Sequence, residues 1–277
     1  MIQETLCQPQ DKLNVSVQHF SPHPLLLPYV EGYTLRKINP NKGEAIEKLM
    51  PHRMLTSIEF FLASPHKKFD LQTKENKNPE TSTARGFRTF SKYKIQISED
   101  FISLTVKFRP SGMFGLLGIS LNHLTNEDYS LKELNILPIS EIENRLQEVI
   151  NENNYCSILD EYLLKLLKKR TFKMRLQPFL LSKNSDSLNT KKIASELGVS
   201  VRQVERLFLN ETGLSFVKWQ QLKKFDTAIK HKIENPLTSW TNLVYQFNFY
   251  DQPNFNKNFK KYLGIIPSQF NPSDFAF

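Results

Sequence analysis

One arrangement of hydrophobic and polar positions occurs twice near the C-terminal end of the chain. In the first copy, apolar residues three and four positions apart predict one buried helical face, formed by Ile193, Ala194 and Leu197. Gly198 follows, where a left-handed backbone readily ends a helix. Ser200 and Gln203 then form a capping-box pair for a second helix. The second helix is predicted to bury Val204, Leu207 and Phe208. The pattern indicates a helix-turn-helix.

The second copy lies about fifty positions further on and follows the same plan. Asn248 takes the place of Gly198, and Asn is the next best residue for a left-handed turn. Asp251 is predicted to cap the following helix, and Pro253 lies in its first turn, where a missing N–H is tolerated. This helix is predicted to bury Phe255 and Phe259, four positions apart, and Leu243 and Val244 precede the turn.

A longer helix is predicted between the copies, roughly over residues 216–232, with Ser215 as its cap. Its apolar stripe consists of Phe216, Trp219, Leu222, Phe225 and Ile229. We therefore expect Trp219 and Phe225 to lie in the core rather than to stack on bases. Successive major grooves on one face of duplex DNA recur about every 34 Å. Two helix-turn-helix motifs joined by a stiff connector helix are therefore typical of DNA-binding proteins.

The exposed positions of the two second helices are the candidate DNA-binding residues, since long polar side chains there can meet base edges and phosphates. They are Val201, Arg202, Gln203, Glu205, Arg206, Gln252, Pro253, Asn254, Asn256, Lys257 and Lys260.

Residues 1–110 are rich in short alternating runs, at positions 15–17, 29–35, 54–62, 87–97 and 101–108. Such runs, separated by turn-forming stretches, predict a small β-barrel or curled sheet that can enclose one small ligand. Residues 111–181 are predicted to be helical, and residues 182–189 a linker. The fold class is therefore predicted as α+β, with an all-α third region at residues 182–277.

The segment from about residue 186 to residue 272 resembles the DNA-binding domain of AraC/XylS-type transcription regulators. The resemblance is carried by residues 193–194, 197–200, 206–208, 212–215, 251–252, 259–261 and 267–270, together with Ala228, Phe249, Phe255 and Gly264. It implies two helix-turn-helix motifs joined by a connector helix. It also implies DNA contacts from Arg202, Glu205, Arg206, Gln252, Asn254, Asn256 and Lys257.

Residues 23–33 and 105–114 look like the uncharacterised N-terminal domain that is often fused to such DNA-binding domains. This resemblance implies a cupin-like barrel that senses an effector of unknown identity, and nearby helices that dimerise. The stripe at residues 158–167 is either a dimer helix or the seam between domains. RNA polymerase and a second copy of the chain are candidate protein partners.

Arg109, at the end of the last predicted strand, is a candidate ligand for an anion, although a turn of this kind is more often a strand-to-helix corner held by Pro and Gly. The six histidines lack the spacing of a zinc site. We predict no metal, no cofactor and no catalytic residue. The leading alternative is an alkyl-transfer DNA-repair enzyme, which needs an activated cysteine, and a further one is an architectural DNA binder without an effector.

Composition agrees with a polyanionic partner, because the net charge is +9. From Ser182 onward the chain has thirteen Lys/Arg and eight Asp/Glu, and on charge alone a solvated surface is an equally good interpretation of this small surplus. The two cysteines, Cys7 and Cys156, are far apart and indicate a reducing compartment rather than a disulfide framework. No apolar run reaches the roughly 18 residues of a membrane span, and no signal peptide is recognisable. The sequence thus predicts a cytoplasmic transcription regulator.

Overall fold

A computed structural model describes residues 14–40, 44–52, 54–169, 172–182 and 188–272. In these residues the N-terminal half is built from strands. They are β1 (Asn14–Phe20), β2 (Val30–Asn39), β3 (Ile46–Met50), β4 (Thr56–Phe61), β5 (Lys67–Asp70), β6 (Asn76–Lys77), β7 (Ser82–Arg85), β8 (Tyr93–Ile97), β9 (Phe101–Phe108) and β10 (Asp128–Ser130).

The described strands form two antiparallel sheets. One has the order β1-β2-β9-β4-β7-β10 and the other has the order β3-β8-β5-β6. The α+β class is confirmed, but the predicted barrel takes the form of two open sheets. A barrel needs strand pairing that closes on itself, whereas each of these sheets ends in two strands that have one partner each.

Ten helices follow or flank the strands in the described residues. They are α1 (Gly112–Leu117), α2 (Leu131–Leu134), α3 (Ile139–Gln147), α4 (Asn154–Lys169), α5 (Gln177–Leu181), α6 (Thr190–Leu197), α7 (Val201–Thr212), α8 (Phe216–Glu234), α9 (Trp240–Gln246) and α10 (Gln252–Leu263).

The first hydrophobic core joins one face of the larger sheet to α1–α4. Because side chains alternate along a strand, Ile58 and Phe60 face these helices while Glu59 points to the other side. The stripe of α4 is buried in this same core, including Ile158 and Leu163. It therefore forms part of the N-terminal domain's own interior rather than an exposed dimer face.

The second core holds the C-terminal helices. It also contains Leu176, Phe179 and Leu180 from α5 and its approach, and Phe87 from the N-terminal half. The helix α5 therefore packs with the C-terminal helices, earlier than the predicted limit at residue 182. Most of the predicted linker, residues 183–187, lies outside the described residues.

Candidate DNA-reading surface

The turns of the two helix-turn-helix copies have the same backbone geometry. In the first, Gly198 has a φ of 64°, and the N–H of Val199 donates to the carbonyl of Ala194 over 3.0 Å. In the second, Asn248 has a φ of 52°, and the N–H of Phe249 donates to the carbonyl of Val244 over 2.9 Å. The predicted equivalence of glycine and asparagine at this turn is confirmed.

Each second helix begins at a capped residue. Ser200 Oγ accepts the N–H of Gln203 over 3.2 Å, and Gln203 Oε1 accepts the N–H of Ser200 over 2.8 Å, which completes the predicted capping box. Asp251 Oδ1 accepts the N–H of Asn254 over 2.6 Å. The starts of α7 and α10 are therefore held by side chains and leave the outer faces of both helices uncovered.

On α7, most of the predicted DNA-binding residues are exposed: Val201, Arg202, Gln203 and Arg206. Glu205 differs, because it is half-buried and its carboxylate accepts the N–H of Phe216 over 3.5 Å. A carboxylate at a helix N-terminus is favourable, so Glu205 acts on the start of α8. Leu207, predicted to be buried, is only half-buried.

On α10, all of the predicted DNA-binding residues are exposed: Gln252, Pro253, Asn254, Asn256, Lys257 and Lys260. Two of their amides already take part in local hydrogen bonds. Asn254 Oδ1 accepts from Asn258 Nδ2 over 2.9 Å, and Gln252 Oε1 accepts from Thr241 Oγ1 over 3.4 Å. These bonds orient the amides along the outer face of the helix.

The connector helix α8 packs between the two helix-turn-helix motifs through its buried face. Trp219 and Phe225 are 3% and 1% exposed, which confirms that they belong to the core. Phe225 packs edge-on against Tyr262 of α10, with ring centroids 4.8 Å apart. Lys218 Nζ donates to the hydroxyl of Tyr262 over 2.9 Å. These contacts hold α10 against the connector.

The C-terminal end of α7 rests on the N-terminal domain. Gly213 ends the helix with a φ of 76°, and its carbonyl accepts the hydroxyl of Thr125 over 2.8 Å. A Cβ at this position would lie 2.5 Å from the carbonyl oxygen of Leu121. Glycine is thus required here both by the backbone conformation and by the approach of the other domain.

Glu211, near the same end of α7, is fully buried. Its carboxylate accepts the N–H groups of Arg175 and Leu176 over 3.0 and 3.1 Å. Burial raises the pKa of Glu211, an effect that these two hydrogen bonds oppose. The segment that links the two halves of the chain is thereby attached to α7.

The C-terminal end of α10 also rests on the N-terminal domain. The carbonyl of Tyr262 accepts the N–H of His52 over 2.7 Å, and the carbonyl of Lys261 accepts the N–H of Ser91 over 2.9 Å. The following residue, Gly264, has a φ of 80°. Both second helices therefore end on the N-terminal domain while their predicted reading faces remain exposed.

Tyr250 is a further candidate for contact with DNA that lies outside the second helices. It directly precedes the cap Asp251 and is 93% exposed. A hydroxyl beside the start of a helix can donate to a phosphate. Its position one residue before a helix cap is the signal that could have identified it.

Two further residues that the sequence singled out, Arg109 and Cys156, lie within the described residues. Arg109 Nε donates to the carbonyl of Leu27 over 2.7 Å, which fits the strand-to-helix corner. Burial raises the pKa of Cys156 to about 12, so its sulfur is a thiol at neutral pH. Cys7 lies outside the described residues.

In the part of the chain that the structure describes, every helix is too short or too polar to span a bilayer.

Residues 193–272 match a family model described as a helix-turn-helix domain. No curated protein matches the chain. Among solved structures, ToxT from Vibrio cholerae O395 is 12% identical, with 94% of this chain and 97% of that chain covered at a TM-score of 0.43. ToxT from V. cholerae strain SCE256, bound to an unsaturated fatty acid, is 13% identical, with 95% and 96% covered at a TM-score of 0.42. The AraC-like transcriptional activator CuxR is 15% identical, with 77% and 86% covered at a TM-score of 0.28.

Proposed function

We propose that the protein is a sequence-specific DNA-binding transcription regulator of the AraC type, because residues 193–272 match a helix-turn-helix family model. In this role α7 and α10 lie in neighbouring major grooves of one duplex. The protein works in the cytoplasm, where it meets chromosomal DNA and RNA polymerase.

The observation that carries this proposal is the repetition of one turn geometry at Gly198 and Asn248, each followed by a capped helix with an exposed polar face. Arg206 and the amides of Gln252 and Asn254 supply base contacts, since Arg pairs with guanine and Asn or Gln with adenine. Arg202, Lys257, Lys260 and Tyr250 supply phosphate contacts, which provide most of the affinity.

Glu205 has a positioning role in this proposal rather than a direct one. Its carboxylate meets the start of α8 and so sets the angle between the first head and the connector. The N-terminal domain receives the regulatory signal, because it contacts the ends of both reading helices.

The alternative of an alkyl-transfer enzyme requires a cysteine in its thiolate form. Cys156 is half-buried against the first core, and burial opposes its ionisation. The nearby Asp160 raises the pKa of this thiol further. Cys156 is therefore a packing residue in our proposal, and the protein is not an enzyme.

Selection of bound sequences from a random pool of duplex DNA tests the proposed function with the full chain. We expect two enriched blocks of bases whose centres lie about one helical turn, or 10 bp, apart. A pair of such double blocks in inverted orientation would identify a dimer. Recovery of an unenriched pool would contradict sequence-specific binding.

A further inference from the structure

The larger sheet ends in β1, and the outer side of this strand has no partner strand among the described residues. β1 pairs with β2 over seven residues in one continuous register, from Asn14 opposite Asn39 to Phe20 opposite Tyr33. An antiparallel strand directs only part of its backbone N–H and C=O groups toward each neighbour. Within the described chain, the backbone of β1 forms no further hydrogen bond with another backbone group. β1 is therefore an open edge that a further strand can extend.

The other three edge strands of the two described sheets have features that oppose such an extension. β10 and β6 consist of only three and two residues. β3 contains Glu47 and Lys48, and Glu47 also pairs with Lys94 of β8. Very short strands and charged side chains are two of the means by which proteins prevent sheet edges from joining. The comparison singles out β1.

The open edge of β1 lacks each of these protections. β1 is the longest of the four edge strands, and it contains no proline, lysine, arginine, aspartate or glutamate. Its pairing with β2 contains no bulge. Its titratable side chain, His19, is neutral near pH 7, because burial and then the charges of Lys107 and Arg36 lower its pKa. A strand without charge does not repel a copy of itself.

The side chains of β1 suit a position inside a sheet. Val15 packs against the small core that joins the two sheets, and both Val15 and Val17 are only half-buried. Ser16 and Gln18 lie on the opposite face and are exposed. β-branched side chains gain contacts when a neighbouring strand covers them. One more strand beside β1 would therefore complete the burial of the two valines.

The surface predicted from the sequence for dimerisation is not available for this purpose, since the stripe of α4 is buried in the first core. We infer instead that a second copy of the chain docks on the open edge, with its own β1 antiparallel to this one about a two-fold axis at Val17. Ser16 then lies opposite Gln18 of the second copy, and Val15 lies opposite its His19. A two-fold contact needs a surface that complements itself. An uncharged strand meets this condition, because no like charges face each other across the pair.

A dimer that is held by one pair of strands is weak. Such a contact is small beside the roughly 1,200–2,000 Å² that stable interfaces bury, so we expect a dissociation constant on the order of 10 µM. On DNA with two binding sites in inverted orientation, the second copy is held at a high effective concentration, which favours the dimer. This last consequence rests on the proposed function, whereas the pairing of β1 does not.

Sedimentation equilibrium of the full chain without DNA tests the inference. We expect the wild type to be mostly dimeric at about 100 µM. The double variant Ser16→Lys/Gln18→Lys, the lysine variant, places like charges opposite each other at two points and should weaken the dimer about tenfold. Asn76→Lys, on the edge strand β6 of the smaller sheet, is the matched control and should dimerise like the wild type. Thermal unfolding checks that each variant is folded.

A second double variant of opposite charge, Ser16→Glu/Gln18→Glu, tests the register of the pair. Alone it should dimerise as weakly as the lysine variant, whereas an equimolar mixture of the two should form heterodimers, because opposite charges then face each other. The inference is overturned if the wild type is monomeric, if the folded lysine variant dimerises like the wild type, if the mixture stays monomeric, or if Asn76→Lys also loses the dimer.

DNA binding by the same variants separates the two proposals. Dimers that bind no specific sequence would refute the regulator and leave the pairing of β1 intact. Specific DNA binding by a monomeric wild type would refute the pairing and leave the regulator. With both proposals correct, the lysine variant binds a single site like the wild type and loses the cooperative binding to paired sites.

Discussion

Arg206 is exposed on α7, between the buried residues Val204 and Phe208 of the opposite face. Its guanidinium can form two parallel hydrogen bonds with a guanine. We expect Arg206→Ala to weaken binding to the selected DNA by about 1–3 kcal/mol and to relax base preference at one position.

A gel-shift titration measures the Arg206→Ala loss, and thermal unfolding checks that the variant is folded. Lys94→Gln, on β8 of the N-terminal domain, is the control and should leave DNA affinity unchanged. Equal affinities for Arg206→Ala and the wild type would remove this residue from the reading surface.

His66 makes stability depend on pH in a defined window. Its pKa is about 4 in the folded protein and 6.5 when unperturbed. As the pH falls from 6.5 toward 4, the unfolded chain binds the proton and the folded chain does not, so stability is lost with acidification and is complete above this range. The slope from this residue reaches about 1.4 kcal/mol per pH unit.

His66→Gln should therefore flatten the pH dependence of the free energy of unfolding between these limits, measured by denaturant titration in chloride buffer. His123→Gln, at an exposed position, is the control and should retain the wild-type slope. An unchanged slope for His66→Gln would show that the pKa of His66 is not lowered in the folded protein.

At the scale of elements, the two helix-turn-helix copies reach one geometry with different residues. Gly198 and Asn248 both adopt a left-handed conformation, and Ser200 and Asp251 both cap the next helix. The C-terminal ends of α7 and α10 tolerate fewer substitutions, because Gly213 and Gly264 lie against the N-terminal domain. Glycine is thus favoured at position 198 by the backbone conformation alone, and at position 213 also by the close approach of the N-terminal domain.

Alanine substitutions distinguish these roles. Gly198→Ala meets open space and should cost only the left-handed strain, about 1–2 kcal/mol. Gly213→Ala has a similar φ, but its Cβ would lie 2.5 Å from the carbonyl oxygen of Leu121, so we expect a distinctly larger loss. Denaturant unfolding of both variants measures the difference, and equal losses would contradict the contact between α7 and the N-terminal domain.

At the scale of the whole molecule, the net charge of +9 acts through its distribution rather than its size. The described lysines of α10 that face outward, Lys257 and Lys260, are exposed, whereas Lys68 is buried in the N-terminal domain. Exposed cations at a DNA interface release counterions on binding. The exposed cations are therefore available to DNA, whereas Lys68 pairs with Asp128.

Affinity for the selected DNA should fall steeply and linearly with salt on logarithmic axes. Lys257→Ala should reduce the magnitude of that slope by about one, since one phosphate contact is lost. Lys94→Gln should leave the slope unchanged. Fluorescence anisotropy over a salt series measures both, and a flat dependence for the wild type would contradict binding dominated by phosphate contacts.

The sequence alone predicted the connector and both helix-turn-helix copies because their determinants are local. Helical periodicity, a capping residue and a left-handed turn residue all lie within a few positions of the structure that they produce. Strands were predicted less completely. The strands β5 and β7 carry Lys68 and Arg85 on their inward side, so they lack the alternation of apolar and polar residues that marks a half-buried strand.

Tertiary structure decided what depends on residues far apart in the chain. Glu205 has the spacing of a reading residue, yet its carboxylate meets Phe216 because α8 folds back toward α7. Two open sheets replace a closed barrel because strand pairing is settled by long-range contacts. The buried charge network of Lys68, Arg85 and Asp128 likewise forms only where distant segments converge, so no local pattern in the sequence marks it.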